Sequence, residues 1–215
     1  MNKKIRNTVC WILLIFIAAW IFRSAYNKKE KQKEIKTTYL LSVKEKSLIQ
    51  DGDIILRYGF GLASDYIVKT FDEKYAISHC GIISTQKPEY TVIHSESSSV
   101  FSEEGITEQN FDQFTDAGHL NSVIIVRYKQ AGATEKTKIS ERSRYYLSKK
   151  IPFDYAFDIK DSSTMFCSEI IWHIFLDEFN HDIFWEPKKG TNINRFSNFW
   201  DTSQFEIILN HQHRM

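Results

Sequence analysis

The apolar positions of this 215-residue chain fall into three patterns. One is an uninterrupted run at 9–22, VCWILLIFIAAWIF, with no polar residue inside it. The second is a series of short runs rich in β-branched residues at 54–56, 76–85, 90–95, 122–127 and 205–209. Each predicts a strand, since Ile, Val and Thr suit a pleated, half-buried surface. The third is a spacing of three and four residues at 62–70, at 134–149 and from about Phe166 onward, which predicts helices. Pro88 marks a turn at 86–90 between two predicted strands, and a short turn between neighbouring strands makes an antiparallel hairpin. Residues 97–120 read as loop with a short helix near 109–114, and 180–195 read as loop around Pro187 and Gly190. Strands come first and an apolar helix comes late, which predicts an α+β fold with a mainly antiparallel sheet.

The first apolar run sets the domain organisation. Lys3, Lys4 and Arg6 precede it, and Arg23, Lys28, Lys29, Lys31 and Lys33 follow it. Its 14 residues fall short of the roughly 20 that a spanning helix needs, but the segment extends to Tyr26 and Arg23 can snorkel. Residues 1–26 are read as an uncleaved N-terminal membrane anchor, with a cleaved signal peptide as the second reading. No small-residue cleavage site follows the run, and Cys10 lies inside it instead of ending it as a lipidation site would. Residues 27–36 read as a charged linker, and 37–215 as one folded domain. The export-like layout favours an extracytoplasmic domain, and the larger basic cluster after the run favours the opposite side.

Composition narrows the function. With 42% hydrophobic and 14% aromatic residues the chain can bury a core, and a formal net charge of +1 gives no nucleic-acid surface. Three cysteines, one of them in the apolar run, make no disulfide framework. No repeat, glycine-rich phosphate loop or metal-ligand spacing is found, so neither a cofactor nor a metal is expected.

The chemistry concentrates at 151–172, IPFDYAFDIKDSSTMFCSEIIW. Cys167 falls in the first turn of the helix predicted from about Phe166. Unpaired backbone N–H groups and the positive end of the helix dipole favour thiolate there. His79 and Cys80 lie on one predicted strand and therefore face opposite sides. If His79 faces a site, Cys80 is a core residue and Cys167 is the thiol free to meet the imidazole. The predicted hairpin brings His94 close to His79. Asp154 reads as a local tie of the lead-in loop, and Glu169 as a partner of the helix start.

GDIIL at 52–56, SHCGII at 78–83, VIHSES at 92–97, and PFDYAF at 152–157 followed by FCSEII at 166–171 resemble the ordered motifs of the permuted papain-like amidases, the YiiX and YaeF group. That group is related to NlpC-type cell-wall peptidases and to lecithin-retinol acyltransferase-like proteins. The resemblance implies a circularly permuted papain-like fold with Cys167 as nucleophile, His79 as base and a polar third member on the next strand. His94 takes the third position, with Glu96 on the same face as the alternative and Asp154 as a supporting residue. Two departures stand out. Phe166 replaces the tyrosine usual before the cysteine, and a histidine occupies a place that is commonly a carboxylate.

A cysteine and histidine in contact form a thiolate and imidazolium near neutral pH; the thiolate attacks an amide or ester carbonyl, the histidine protonates the leaving group, and the Cys167 backbone N–H serves as an oxyanion donor. The expected protein is a cysteine amidase or peptidase acting on an N-acyl amino acid, a peptide or a peptidoglycan stem, associated with the membrane through its N-terminal segment. One alternative is a thiol acyltransferase or lipase-like enzyme, with Phe60, Tyr66, Phe71, Tyr155 and Phe157 lining an acyl pocket. The other is a non-catalytic module in which His79, His94 and Cys167 pack or hold a metal.

Overall fold

The computed structural model describes residues 3–34, 39–85, 89–97, 104–184 and 195–212. The expected domain start at Thr37, the Pro88 turn and the loop around Pro187 and Gly190 lie outside the described residues. The N-terminal run forms helix α1 (Lys3–Glu34). Its apolar part, Thr8–Lys29, spans 22 residues, which at about 1.5 Å per residue is long enough to cross the hydrocarbon core of a bilayer. The stretch read as a linker continues this helix to Glu34, because Lys, Glu and Gln are good helix formers even without an apolar face. Near the C-terminal end of the apolar part, the Tyr26 hydroxyl donates to Asp65 at 2.7 Å.

Beyond α1 the elements run α2 (Val43–Lys46), β1 (Ile54–Arg57), α3 (Leu62–Phe71), β2 (His79–Ser84), β3 (Thr91–Glu96), β4 (Gly105–Asn110) and α4 (Phe111–Asp116). They continue with β5 (Ile124–Tyr128), α5 (Ala133–Lys149), α6 (Cys167–Phe179), a 3-10 turn (Phe196–Trp200) and β6 (Phe205–Asn210). The strands form one sheet in the order β4-β3-β2-β1-β5-β6, and every neighbouring pair is antiparallel. This is the α+β class with an antiparallel sheet that the patterning predicts. β4 was not predicted. Its sequence, GITEQN, carries a single apolar residue, and continuous pairing with β3 from Thr91↔Asn110 to Glu96↔Gly105 overrides that weak propensity.

Side-chain alternation gives the sheet two faces. Leu56, Cys80, Ile82, Ile93 and Val126 pack under α5 and α6, against residues such as Ile139, Ile170, Ile174 and Phe175. Ile55, Ile83, Val92 and Ile125 face the other way, toward Tyr39, Leu41, Phe111 and Phe114. Each fully buried Ile or Phe in these cores contributes about 1.5–3 kcal/mol relative to exposure. The GDIIL stretch pins β1 between its neighbours. Gly52 has φ 78°, and a Cβ there would lie 2.6 Å from the Lys136 carbonyl oxygen, so no other residue fits. Asp53 is fully buried and takes two bonds from Arg127, at 2.7 and 2.8 Å, and one from the Gln50 N–H at 2.8 Å. Burial pushes the Asp53 carboxyl up, and Arg127 works against that shift.

Candidate active site

Helix α6 starts where an extended lead-in meets the sheet. Phe166 is extended (φ −94°, ψ 175°), and its N–H donates to the Glu169 carboxylate at 3.1 Å, which satisfies one of the donors a helix start leaves open. Glu169 is buried, and that burial raises its pKa. Two residues before Cys167, Met165 is fixed on three sides. Its N–H donates to the Pro152 carbonyl at 3.0 Å, and its own carbonyl accepts from the Asp154 N–H at 3.3 Å and from the Ser95 hydroxyl at 2.5 Å. Ser95 is the strand neighbour of His94, so the β3 backbone that carries the imidazole is tied to the start of the cysteine helix. Asp154, also buried, accepts from the N–H groups of Ala156 and Asp158 at 2.7 and 2.6 Å. It shapes the lead-in loop, as its local sequence suggests.

Cys167 is half-exposed, whereas Cys80 is fully buried. The Cys80 thiol donates to the Cys167 sulfur and is the largest influence holding the Cys167 thiol below its ordinary value. The N–H groups of Cys80, Ser168 and Cys167 act in the same direction, and burial opposes them. Burial and the same contact push the Cys80 thiol well above the usual range. Burial thus favours the thiol at Cys80, and the N–H groups at the start of α6 favour the anion at Cys167.

His79 and His94 meet at the start of β2 and the middle of β3. Their ring nitrogens, Nε2 of His79 and Nδ1 of His94, are 2.9 Å apart, and the rings stand edge to face with centroids 5.0 Å apart. Gly81 makes the approach possible, because a Cβ there would lie 2.6 Å from Val92 Cγ1 and 3.0 Å from His94 Cβ. Phe114 lies against both rings, at 5.6 and 5.1 Å. Burial, and then the Arg57 charge, drive His79 well below the usual imidazole range and bring His94 down to about 3. Both rings are neutral near pH 7.

Of the residues singled out in the sequence, the structure brings together His79 with His94 and Cys167 with Cys80. Among the described residues, no hydrogen bond joins the Cys167 sulfur to His79. One of the three N–H groups that act on the sulfur is that of Cys80, the residue after His79 on β2. Glu96 lies 3.9 Å from the Arg57 guanidinium, and no hydrogen bond joins it to His79. The aromatic residues considered for an acyl pocket separate into three groups. Phe60 packs tilted against His119, Phe71 packs on Phe196, and Tyr155 and Phe157 cluster with Phe153, while Tyr66 is exposed on α3.

Two residues of the site went unnoticed in the sequence. Arg57 ends β1 directly opposite His79, is only 3% exposed, stacks on Phe114 at 4.0 Å and donates to the Phe114 carbonyl. Its pKa is lowered to about 10 by burial, and it remains charged at neutral pH. The available signal was its place two residues after Ile55 on one strand face. Gln109, on β4, lies on the same face as His94 and was hidden by the reading of 109–114 as a short helix, whereas that helix begins only at Phe111.

A family model of permuted papain-like amidase enzymes, YaeF/YiiX, matches residues 48–190, more than half of the chain. No curated protein matches the chain. Among solved structures, the crystal structure of metalloprotein yiiX from Escherichia coli is similar with a TM-score of 0.59 at 14% sequence identity. The similarity covers 75% of this chain and 97% of that one. At that identity the likeness speaks for the fold, and with the family match it gives the antiparallel sheet and late cysteine helix their type, the permuted papain-like fold.

Proposed function

The chain belongs to the permuted papain-like amidases of the YaeF/YiiX type, a family of cysteine hydrolases, and we propose that it cleaves an amide bond through a thioester formed on Cys167. The observation that carries this reading is the partly exposed Cys167, whose thiol is pulled down at the start of α6; the neutral His79–His94 pair is the base the reading assigns to it. His79 takes the thiol proton as the sulfur attacks the carbonyl carbon, and the carbonyl electrons move to oxygen, where the Cys167 N–H donates. Collapse breaks the C–N bond, and the leaving nitrogen takes the proton from His79. Water then gives a proton to His79 and attacks the thioester. The C–S bond breaks, and the sulfur recovers the proton. Because burial and Arg57 disfavour a charged imidazole, protonated His79 is a strong acid toward the leaving amine. His94 orients His79. Each aligned oxyanion donor is worth about 3–4 kcal/mol.

N-acyl amino acids, peptides and peptidoglycan stems are the substrate classes this chemistry fits. Helix α1 supports anchoring of the chain in a membrane, and the export-like layout of its flanks favours an extracytoplasmic catalytic domain. The same helix favours a second reading, acyl transfer to a lipid amine, which differs only in the acceptor that takes the acyl group from the thioester. A metal role gains no support from the residues themselves. Among the described residues no cluster of three or more His, Cys, Asp or Glu side chains fits an ion.

The test is intact-mass detection of an acyl adduct on the full chain in detergent, after brief exposure to a panel of N-acyl amino-acid p-nitroanilides. A transient adduct on Cys167 that is lost in Cys167→Ser supports the reading. Release of p-nitroaniline that survives Cys167→Ser defeats it. Adding a lipid amine then separates hydrolysis from transfer by the product formed.

A further inference from the structure

The hydrogen-bonded imidazoles leave an unanswered proton. Two neutral rings joined by one N–H···N bond can run in either direction, and only one direction gives a base. If His79 Nε2–H donates to His94 Nδ1, then His79 keeps a lone pair on Nδ1. If the bond runs the other way, Nδ1 of His79 carries the proton and cannot accept one from a thiol. What lies on the far nitrogen of His94 decides between them.

That nitrogen, Nε2 of His94, is buried and has no hydrogen-bond partner, and the side-chain oxygen of Gln109 is buried and has none either. The strand register places them on one face. His94 pairs with Thr107, and Gln109 pairs with Val92, so Gln109 is the diagonal neighbour of His94. Two complementary orphan atoms a short side-chain rotation apart satisfy each other at little cost, whereas each left alone costs about 1–3 kcal/mol. Of the other groups facing His94, Thr107 lies directly opposite on β4, and its hydroxyl makes no bond to His94 Nε2. Arg57 on β1 is a donor, His79 on β2 holds the opposite nitrogen, and Phe114 on α4 is apolar. Glu96, on β3, lies at the guanidinium of Arg57.

We propose that Gln109 is a positioning residue of the active site. Its side-chain oxygen accepts the Nε2–H of His94, which makes His94 Nδ1 the acceptor for His79 Nε2–H and leaves His79 Nδ1 unprotonated toward the nucleophile. A neutral amide also suits the site better than a carboxylate, since it orients the relay without drawing a charge onto His94. The inference rests on the reading of His79 as the base.

The experiment is a two-bond proton–nitrogen correlation spectrum of the full chain in detergent micelles with 15N-labelled histidine, near pH 7. The expected wild-type pattern has His79 and His94 both protonated at Nε2. Gln109→Met is expected to mix or invert that pattern and to slow acylation by p-nitrophenyl acetate roughly 10- to 100-fold. Gln109→Glu keeps an acceptor oxygen, so it is expected to keep the tautomers and raise the pH at which His94 protonates. A wild-type His94 protonated at Nδ1, or an unchanged pattern in folded Gln109→Met, overturns the proposal. The wild-type spectrum needs no variant, so misfolding cannot mask the answer. Failure of the base assignment itself reads out separately, as acylation that survives His79→Asn while the tautomers stay as expected.

Discussion

The two faces of the sheet solve opposite problems. Under α5 and α6 the strands bury Leu56, Cys80, Ile82, Ile93 and Val126 among apolar neighbours, and the one thiol there is kept protonated. On the opposite face the apolar core of Ile55, Ile83 and Val92 gives way, at the end of β1 and start of β2, to Arg57, His79 and His94, with Gln109 on β4. Buried polar groups destabilise a fold unless they are partnered, so a cluster of them at one edge of an otherwise apolar face marks chemistry rather than packing. The helix side carries Cys167 and the other side carries the imidazoles, and the proposed mechanism draws on both.

Cutting the chemistry while sparing the fold should have the largest effect. Cys167→Ser is expected to abolish acylation by p-nitrophenyl acetate. His79→Asn is expected to reduce it about 10²- to 10⁴-fold, the usual worth of a positioned base. Urea midpoints of the Cys167→Ser variant should stay at the wild-type value. If both variants acylate at the wild-type rate, the division of labour between the faces is wrong.

Next in size is the structural ion pair on β1. Arg127→Met leaves Asp53 buried without its partner, and the expected loss is about 3–5 kcal/mol of stability, read from urea unfolding. A loss below about 1 kcal/mol would mean that Asp53 takes up a proton or reaches water without cost.

The polar face should also make the protein acid-sensitive. His94 protonates near the ordinary value of about 6.5 when unfolded, but only at about 3 when folded. Between those values the unfolded state binds one more proton, so stability is complete above about pH 6.5 and falls as pH drops. The slope is about 1.4 kcal/mol per pH unit from this residue. His94→Asn should remove that component from a plot of stability against pH, and an unchanged slope would place the acid sensitivity elsewhere.

The smallest effect is at the partner thiol. Cys80→Val keeps the apolar volume and removes the S–H that donates to Cys167. The Cys167 titration should move up toward an ordinary thiol, with little change in stability. No movement would leave the helix N–H groups as the sole stabilisers of the thiolate.

Much of this was legible in the sequence. The antiparallel β2–β3 pairing, the meeting of His79 with His94 and the helix starting at Cys167 follow from β-branched runs close together in the chain and an apolar helical repeat. Alternation correctly put His79 and Cys80 on opposite faces. It could not say which of those faces α6 covers, because a period of two sorts residues into sides without naming what packs on either. For that reason the contact between Cys80 and Cys167 emerged only in three dimensions. β4 was illegible for another reason: its polar residues form a strand through pairing with β3, a long-range effect with no local signature. Arg57 looked like the end of an apolar strand, and its role depends on standing beside His79 across the β1–β2 ladder.

The most direct measurement is the rate of iodoacetamide alkylation of each cysteine between about pH 5 and 9, read by peptide mass spectrometry on the full chain in detergent. The account predicts that Cys167 reacts with a midpoint below the ordinary thiol value of about 8.5, while Cys80 stays inert. The midpoint should persist in His79→Asn, because the thiolate is held by Cys80 and backbone N–H groups, and acylation should nevertheless be lost. A Cys167 that titrates as an ordinary or buried thiol would contradict the assignment of the nucleophile.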